Sequence, residues 1–555
     1  MKNAIRTSFL ILIVFSQSLY AQSPPHAAIA SAHPMATEAG LEILRQGGNA
    51  FDAAIAVSAT LAVVEPYSSG IGGGGFWLLH RERDGKEVMV DGRERAPLKA
   101  SRDMYLDKSG NVIPGLSVDG PLAAGIPGEP AALVHIAKHY ARLSLAIDLA
   151  PAIRAAREGF KVTPHYRNMA AFRLKVLRAS PAAAGVFLHN NEVPALGYVI
   201  KQPELAATLT LLAQKGRRGF YHGTVARQLV DGVQRAGGIW THQDLKMYTV
   251  VERQPIIGEY RGYRIVSAPP PSSGGVVIMQ ILNQLTALQA ASKSDIQKQH
   301  LLIEAMRRAY RDRSIYLGDP DSVKMPIKKL LSPAYARQLI RNIDPTKATP
   351  SKDLPGGSPP GNGFHTTHFS ILDKAGNRVS ATLSVNYPFG SGFMAPGTGV
   401  LLNDEMDDFS AKPGTPNVYG LVGAEANAIA PGKRMLSSMS PTFVEGRDRV
   451  AIIGSPGGSR IITMVLRGIQ AFINNNDAQT IVAMPRFHHQ YLPDQVQYET
   501  AAFSDQQIQA LQGMGYVLKQ IPDGFGNMQL VIWDQAAEKV SAASDPRGEG
   551  LAQIQ

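Results

Sequence analysis

A pair of adjacent threonines, Thr366 and Thr367, is the first place in this 555-residue chain where the residue types suggest chemistry. A hydroxyl group is a weak nucleophile that needs a neighbouring base to take its proton. The same residues begin a run in which Phe369 and Ile371 alternate with polar residues, as in a strand with one apolar face. Because threonine is common in strands, the dipeptide alone favours an ordinary strand. The choice between strand and nucleophile therefore depends on the surrounding residues.

The segment before the pair is rich in proline and glycine. Residues 344–363 include Pro345, Pro350, Pro355, Pro359 and Pro360. This composition predicts an exposed and poorly ordered loop, and a linker between two domains is the alternative. The segment ends abruptly at His365, so the threonines stand at a boundary between two kinds of structure.

A second alternating run, residues 379–386, follows a predicted turn and forms the partner strand of a hairpin. Opposite residues of an antiparallel pair share a face, so only some registers bury the apolar side chains of both strands. Pairing Phe369 with Ala381 does this. The same register places Ser384 opposite Thr366, so a second hydroxyl can orient the first.

Residues 455–460 form a glycine-rich turn between an apolar strand at 450–454 and an apolar helix at 461–473. A turn of this kind exposes backbone N–H groups to an anion. The turn lacks the Lys-Ser/Thr pair of a phosphate loop, which favours a site for a developing oxyanion. A formal Gly-x-Gly-x-x-Gly match at residues 70–75 precedes a strand instead of a helix, so we predict no dinucleotide site there.

Two charged features are open to more than one interpretation. Arg93 follows a predicted hairpin of residues 76–80 and 87–91. An arginine at the end of a strand either forms a solvated ion pair or clamps a carboxylate through two parallel hydrogen bonds. The sequence alone favours the solvated ion pair. Residues 403–409 are densely acidic, and the alternatives are a solvated turn or a calcium loop, although the EF-hand spacing is absent.

Three polar segments follow in the last third of the chain. Residues 416–431 form a long loop with Tyr419 and several small residues, as expected of a lid. Residues 437–441 form a polar turn. His488–His489, like His365 with His368, suggests a metal, but neither pair has a helical His-Glu-x-x-His context, and we predict no metal site.

Composition narrows the class of protein. The chain is 44% hydrophobic and 18% charged, which fits one large globular unit or two to three domains. Its net charge of +11 is spread without a basic run, so no nucleic-acid partner is expected. The absence of cysteine excludes disulfides, zinc thiolate sites and thiol catalysis.

The first 21 residues have the pattern of a secretory signal. Lys2 and Arg6 precede an apolar run at residues 9–19, and Ala21 follows. The run is shorter than the roughly 20 residues that a membrane span needs. We therefore expect an exported, secreted or periplasmic protein without a transmembrane helix.

Apolar periodicity also predicts the main elements. Helices are expected at residues 34–46, 50–64, 129–140, 149–158, 203–215, 225–236 and 298–312, with a further apolar helix entered at Val276. Asn49 is expected to cap the second helix. Residues 256–266 are expected to be β.

Several segments together resemble one family. They are residues 47–50, 72–76, 366–368, 403–410, 416–423, 437–441, 454–460 and 485–489. In this order they resemble the γ-glutamyltranspeptidases of the N-terminal-nucleophile (Ntn) hydrolase group. The resemblance runs over about residues 34–547, nearly the whole chain after the predicted signal.

The resemblance implies an α+β fold, the four-layer αββα sandwich of Ntn hydrolases. It implies a precursor that cuts itself between His365 and Thr366. Residues 1–21 would then be the signal peptide, 22–365 the large subunit and 366–555 the small, catalytic subunit of a heterodimer. The free α-amine of the new N-terminus could serve as the base for the threonine hydroxyl on the same residue.

The resemblance also implies roles by position. Thr366 would attack the γ-carbonyl of a γ-glutamyl group, Ser384 would activate it, and the N–H groups of Gly457 and Gly458 would bind the oxyanion. The substrate α-carboxylate would be held by Arg93, Ser437 and Ser438, and its α-ammonium by Asn386, Glu405 and Asp408, with Tyr419 in the lid. Many relatives carry threonine in place of Ser384, and bacterial relatives often carry glutamine in place of Glu405.

The implied reaction is γ-glutamyl transfer from glutathione and related amides to water or to amino acid and peptide acceptors, through an acyl-enzyme on Thr366 and without metal or organic cofactor. One alternative is an acylase or amidase for another acyl group, similar to cephalosporin acylases, although Asp408 argues against an acyl group without an ammonium. The other alternative is an unprocessed, non-catalytic binding protein.

Overall fold

Two antiparallel sheets form the centre of the molecule in the computed structural model, which describes residues 23–354 and 366–555. The first sheet has seven strands in the order β18-β1-β9-β10-β2-β3-β6, and the second has six in the order β17-β16-β12-β11-β8-β7. The strands are β1 (Ala28–Ser31), β2 (Gly74–Arg81), β3 (Lys86–Gly92), β4 (Phe160–Lys161), β5 (Val199–Ile200), β6 (Val251–Arg253), β7 (Ile256–Tyr260), β8 (Tyr263–Ser267), β9 (Thr367–Leu372), β10 (Arg378–Ser384), β11 (Thr442–Glu445), β12 (Arg449–Gly454), β13 (Phe487–His488), β14 (Val496–Tyr498), β15 (Leu518–Gln520), β16 (Gln529–Asp534), β17 (Lys539–Ser544) and β18 (Leu551–Ile554).

Helices cover the outer faces of both sheets. They are α1 (Pro34–Arg45), α2 (Ala50–Val64), α3 (Glu129–His139), α4 (Leu145–Glu158), α5 (Pro164–Phe172), α6 (Leu174–Ala179), α7 (Pro181–Phe187), α8 (Pro203–Lys215), α9 (Arg217–Tyr221), α10 (Gly223–Arg235), α11 (His242–Met247), α12 (Gly274–Ala287), α13 (Asp295–Tyr316), α14 (Ile327–Leu330), α15 (Pro333–Leu339), α16 (Ile461–Ile473), α17 (Ala478–Ala483) and α18 (Asp505–Gly513). Helix α2 packs on β9 and β10, while α12 and α16 pack on β7, β8 and β12. Because β9 and β10 contact β12, the layers run helix, sheet, sheet, helix. The predicted four-layer α+β fold is confirmed.

Helix α2 belongs to the helical layer that packs on the first sheet. Its start is fixed by Asn49, whose Oδ1 accepts hydrogen bonds from the N–H groups of Phe51 and Asp52, and the Asp52 carboxylate accepts from the Asn49 N–H at 2.8 Å. Every residue of the helix is buried, in accord with its nearly continuous apolar sequence. The predicted cap and bounds are therefore correct.

The hairpin of β9 and β10 has the predicted register. Phe369 lies opposite Ala381, and Leu383 lies opposite Thr367, so continuing the register by one residue places Ser384 opposite Thr366. The apolar face of the hairpin packs against the layer that contains α2. Its polar face turns to the second sheet, where hydroxyls such as that of Ser380 donate to backbone carbonyls. This is why polar residues alternate along strands that are buried on both faces.

Some boundaries differ from the sequence-based expectations. The segment at 256–266 is β as expected, but it forms a tight hairpin, because Arg261 and Gly262 both have positive φ and reverse the chain. Helix α13 is longer at both ends than predicted and begins at a Ser294 cap that the apolar pattern does not reveal. The short helices α5 to α7 lack a long apolar repeat and were not predicted.

The predicted signal peptide, the proline-rich segment after Leu354 and His365 lie outside the described residues. Within the described ranges, no helix is both long enough and apolar enough to span a lipid bilayer.

Candidate active site

A narrow cavity of about 280 Å³ lies at the open end of the β9–β10 hairpin. It brings together ten of the eleven residues predicted for catalysis and substrate binding: Arg93, Thr366, Ser384, Asn386, Glu405, Asp408, Tyr419, Ser437, Ser438 and Gly458. Gly457, the eleventh, is the chain neighbour of Gly458. Leu421, Met439, Ser459 and Ile461 complete the lining.

The two threonines at the start of β9 face opposite sides of the sheet. Thr366 lines the cavity and is 7% exposed. The hydroxyl of Thr367 instead donates to the buried carboxylate of Glu65 at 2.7 Å. Burial raises the pKa of Glu65 to about 7, although the Thr367 hydrogen bond opposes this shift. Thr366 is therefore the threonine that could act on a bound molecule, and Thr367 anchors the strand.

Ser384 lines the same cavity as Thr366. It is the last residue of β10, and its Oγ accepts a hydrogen bond from the Asn386 N–H at 2.7 Å. A hydroxyl that accepts in this way still has its own proton to donate. Ser384 can therefore donate to an oxygen in the cavity.

Arg93 is buried, in contrast to the solvated arginine that the sequence alone favoured. Its Nη1 donates to Glu405 and its Nη2 to Asp408, each at 2.5 Å, and its Nε donates to the Met435 carbonyl at 3.2 Å. Burial alone would lower the pKa of Arg93, but the carboxylates of Glu405 and Asp408 outweigh it and raise the pKa. The prediction of a solvated arginine is wrong because the acidic loop folds over the end of β3.

Glu405 and Asp408 are the two acidic side chains of their loop that reach the cavity. Burial raises the pKa of Glu405 to about 7, and the guanidinium of Arg93 opposes the shift. The Oε1 atom of Glu405 has no hydrogen-bond partner among the described residues. A ligand ammonium in the cavity could satisfy it.

The other acidic residues of the loop shape the chain. Asp404 accepts from the Tyr387 N–H at 2.9 Å, and Asp407 accepts from Ser117 at 2.7 Å and from the Val418 N–H at 2.9 Å. These contacts use the carboxylates within the protein, so neither the calcium loop nor the solvated turn describes this segment.

The glycine-rich turn has the predicted arrangement of strand, turn and helix. Gly457 and Gly458 have φ values of +139° and +56°, which disfavour side chains. A Cβ on Gly458 would also lie 2.5 Å from the Tyr419 ring. The backbone N–H groups of both glycines donate to no described acceptor. Backbone N–H groups left free in such a turn are able to bind an anion.

The predicted lid covers the cavity through Tyr419. Its hydroxyl donates to the Asn386 carbonyl at 2.5 Å, and its own carbonyl accepts from Gln490 at 3.3 Å. The side chain of Asn417 ties the same loop to Asp408 at 3.0 Å. Asn417 and Gln490 thus hold the lid, and no sequence pattern had singled out either residue.

Ser437 and Ser438 form the wall beside Arg93. Ser437 Oγ accepts from the Met439 N–H at 3.1 Å, and Ser438 Oγ accepts from the guanidinium of Arg313 at 3.1 Å. Arg313 is another residue that sequence reasoning missed. It lies beyond the predicted end of its helix, and nothing local distinguishes it from the other arginines there.

The described histidines of the two predicted pairs contact protein groups. His368 contacts the hydroxyl of Thr382 at 2.8 Å, and burial lowers its pKa to about 3. His488 contacts Thr463 and Gln490, each at 2.8 Å. The first contact joins β9 to β10, and the contact with Thr463 joins β13 to α16.

Within the described ranges, one group of three possible metal ligands has its ligand atoms within 4.8 Å of one another, namely His80, Glu87 and Glu445. Arg264 is paired with both carboxylates and Arg378 with that of Glu445. The acidic charge is therefore already neutralised, and the group lies outside the cavity.

The cavity as a whole fits the head of an α-amino acid. Its lining combines the guanidinium of Arg93, two carboxylates and several hydroxyls, among them that of Thr366. An α-carboxylate and an α-ammonium would each meet opposite charge.

Comparison with known proteins gives a consistent result. The sequence model of the family described as Gamma-glutamyltranspeptidase matches residues 36–554. A "Glutathione hydrolase proenzyme" from Pseudomonas sp. (strain A14) is 44% identical over 529 residues, which cover 93% of this chain and 92% of that protein.

Two solved structures share the fold. Cephalosporin acylase from Bacillus halodurans has a TM-score of 0.84 and 29% identity, and the match covers 98% of this chain and 99% of that one. A chain of Helicobacter pylori gamma-glutamyltranspeptidase has a TM-score of 0.56 and 41% identity, and the match covers 58% of this chain and 93% of that one.

Glu405 should make binding of an α-amino acid depend on pH. Its carboxyl gains a proton as the pH falls through about 7 and then no longer attracts an ammonium. We expect the affinity for L-glutamate to be highest above this pH and to fall about tenfold for each further unit of acidification. The Glu405→Gln variant should bind L-glutamate more weakly than the native protein near pH 8. Its affinity should not change with pH between about pH 6 and 7. Calorimetric titration across this range measures both, with exposed Glu204→Gln as the control. An unchanged slope in Glu405→Gln would refute the assignment.

Gly458→Ala should inactivate the site without unfolding the protein. The new methyl group would clash with the Tyr419 ring, and the positive φ of this residue is unfavourable for alanine. We expect kcat for the hydrolysis of an activated amide to fall about 100-fold or more, as for loss of an oxyanion donor. Gly414→Ala is the matched control, because Gly414 also has a positive φ but no neighbour within 4 Å of the added Cβ. It should cost about 1 kcal/mol of stability and leave kcat within about twofold. Equal losses of kcat in both variants would contradict a role for the Gly458 turn.

Proposed function

The chain belongs to the gamma-glutamyltranspeptidase family, and on that premise we propose that it transfers the γ-glutamyl group of glutathione and related amides to water or to amino acid and peptide acceptors. The observation that carries this proposal is the pairing of buried Arg93 with Glu405 and Asp408 beside Thr366. That charge pattern fits the zwitterionic head of a γ-glutamyl group and leaves the γ-carbonyl for the nucleophile.

The donor binds with its α-carboxylate toward Arg93, Ser437 and Ser438. Its α-ammonium lies against Asn386, Glu405 and Asp408. Binding both charged groups of the head fixes the γ-carbonyl carbon near Thr366. The entropy of orienting the donor is then lost on binding and no longer adds to the barrier of the reaction. The lid with Tyr419 limits the entry of water.

Chemistry begins when Thr366 Oγ1 attacks the γ-carbonyl carbon. The α-amine of Thr366 takes the hydroxyl proton, and Ser384 donates a hydrogen bond that orients the nucleophile. The N–H groups of Gly457 and Gly458 bind the negative oxygen of the tetrahedral intermediate. Collapse breaks the amide bond, the leaving amine receives the proton, and a γ-glutamyl ester remains on Thr366. Water or an acceptor amine then attacks this ester by the reverse path and regenerates the hydroxyl. The scheme uses protein groups alone and requires no metal or organic cofactor.

Maturation by cleavage between His365 and Thr366 belongs to this proposal. The α-amine can act as a base only when it is no longer part of a peptide bond. The products would be a large subunit of residues 22–365 and a small subunit of residues 366–555. The relative's description as a proenzyme and the 58% coverage by a separate Helicobacter chain support this division. Residues 1–21 would direct export to the periplasm or the medium.

An acylase for another acyl group is the second candidate, because the Bacillus halodurans acylase shares the fold over 98% of this chain. The pair Glu405 and Asp408 speaks against it. An acyl group without an ammonium would leave the buried carboxylate of Glu405 and the partly buried one of Asp408 with Arg93 as their shared cation.

Thr366→Ala should abolish maturation. We expect the native sequence to give two bands on a denaturing gel, with Thr366 as the first residue of the smaller fragment, and the variant to give one band. Thr367→Ser is the matched control, because it keeps the hydroxyl that donates to Glu65 and should still be cut. A single band for the native sequence would favour the non-catalytic binding protein, and another N-terminal residue would move the nucleophile.

Substrate preference distinguishes the two catalytic candidates. We expect kcat/KM for γ-glutamyl-p-nitroanilide to exceed that for glutaryl-p-nitroanilide by about 100-fold or more, because the glutaryl group lacks the ammonium that Glu405 and Asp408 would bind. Initial rates with both anilides measure this ratio. Asp408→Asn should reduce the ratio by weakening the γ-glutamyl donor selectively. A native preference for the glutaryl compound would establish the acylase instead.

A further inference from the structure

Arg313, in the last turn of α13, is a second buried arginine next to the cavity, and it is 4% exposed. Unlike Arg93, it forms no ion pair with a carboxylate in the described parts of the chain. Burial lowers the pKa of Arg313 to about 10, which still leaves it charged at neutral pH. The Asp408 carboxylate attracts the Arg313 charge without a direct ion pair, and Arg93 repels it. A buried guanidinium that lacks a direct ion pair is costly, which suggests that Arg313 has a function.

The hydrogen bonds of Arg313 lead directly to the wall that holds Ser437 and Ser438. Its Nε donates to Ser273 Oγ at 2.9 Å, and its Nη2 donates to Ser438 Oγ at 3.1 Å. A guanidinium only donates, so both seryl oxygens must accept and each keeps its own proton. The Ser273 hydroxyl donates its proton to the Ser437 carbonyl at 2.7 Å. The proton of Ser438 is given to no described acceptor.

The backbone of Ser437 is held by three contacts. Its carbonyl accepts from the side chain and the N–H of Ser273, and its N–H donates to the Pro271 carbonyl at 2.8 Å. Its Oγ accepts from the Met439 N–H, and the Ser437 hydroxyl also donates to no described acceptor. Two adjacent hydroxyls in the cavity wall are thus fixed as hydrogen-bond donors.

We propose that Arg313 is a positioning residue for the γ-glutamyl donor: it fixes Ser438 directly, and Ser437 through Ser273, as hydrogen-bond donors to the α-carboxylate. This inference rests on the proposed function. Arg313 touches no reacting atom and acts through the two serines.

The charge of Arg313 adds a second contribution. Arg93 forms ion pairs with two carboxylates, whereas Arg313 has seryl oxygens as its hydrogen-bond acceptors. A carboxylate that enters the cavity therefore meets a positive potential that Arg93 alone does not supply. Electrostatic interactions at this depth are strong because water is excluded.

The test compares ligands with and without the α-carboxylate. L-Glutamate has it, and 4-aminobutyrate has the same chain and ammonium but lacks it. In Arg313→Met we expect the Kd of L-glutamate, measured by calorimetry, to rise about 10- to 100-fold, and that of 4-aminobutyrate to change less than about threefold. Arg313→Lys retains the charge without the fork of donors and should lie between native protein and Arg313→Met. Arg235→Met, on an exposed turn of α10, is the control for loss of an arginine and should match the native protein.

Kinetics and coupling separate positioning from a merely structural role. Arg313→Lys should raise KM for γ-glutamyl-p-nitroanilide and leave kcat within about fivefold, since Thr366 and the glycine turn are untouched. In a Ser438→Ala background, Arg313→Lys should weaken L-glutamate binding by less than it does alone, because the shared contact is already gone.

Several results would overturn the proposal. These are equal weakening of both ligands, additive effects of the Ser438 and Arg313 variants, or a fall in kcat with KM unchanged. If Arg313→Met fails to fold, Arg313→Lys carries the same comparison. Because binding of L-glutamate is measured without turnover, failure of Arg313 and absence of γ-glutamyl transfer in the native protein remain distinguishable.

Discussion

The buried charge of Arg93 is the constraint on which the cavity depends. A buried guanidinium is stabilised by carboxylates that contact it, and Arg93 is paired with Glu405 and Asp408, which lie 312 and 315 residues later in the chain. Removal of one partner from a buried ion pair costs about 3–5 kcal/mol, because the remaining charge stays desolvated. The contact therefore fixes the acidic loop against the end of β3. It joins a strand that precedes the threonine pair to a loop that follows it.

The same charges explain why a zwitterion suits the cavity. In this site the guanidinium of Arg93 contacts the carboxylates of Glu405 and Asp408. An α-amino acid brings one charge of each sign, so its carboxylate can share Arg93 and its ammonium can share Glu405 and Asp408. The number of unlike contacts rises without the burial of an unmatched charge. An acyl group that carries a carboxylate alone would add a negative charge to a site that already has two.

Local patterns allowed the parts of the site near Thr366 to be predicted. The register of the hairpin follows from alternation in two short runs, and alternation also separates Thr366 from Thr367. The turn at Gly457 lies between a strand and a helix that both have clear apolar patterns. In each case the information is contained in neighbouring residues.

Contacts between distant segments could not be predicted in this way. Arg93 reads as a surface arginine because its burial depends on a loop more than 300 residues away. Arg313 gives no local signal, since its role depends on where the turn with Ser438 packs. The hairpin at residues 256–267 was missed for a smaller reason, because Arg261 rarely adopts a positive φ and gave little indication of a turn.

The sheet topology makes a cut before Thr366 compatible with the fold. Strand β9 lies between β1 and β10. Strand β10 pairs with all of Thr367–Leu372, and β1 pairs with residues 369–372. Each sheet contains strands from before and after the threonine pair, so a cut would remove a covalent link without removing a lateral hydrogen bond. The new end would lie in the cavity, because Thr366 already lines it. With β10 paired up to Thr367, the nitrogen freed by such a cut could act as a base beside the hydroxyl of the same residue, with Ser384 opposite and the glycine turn nearby.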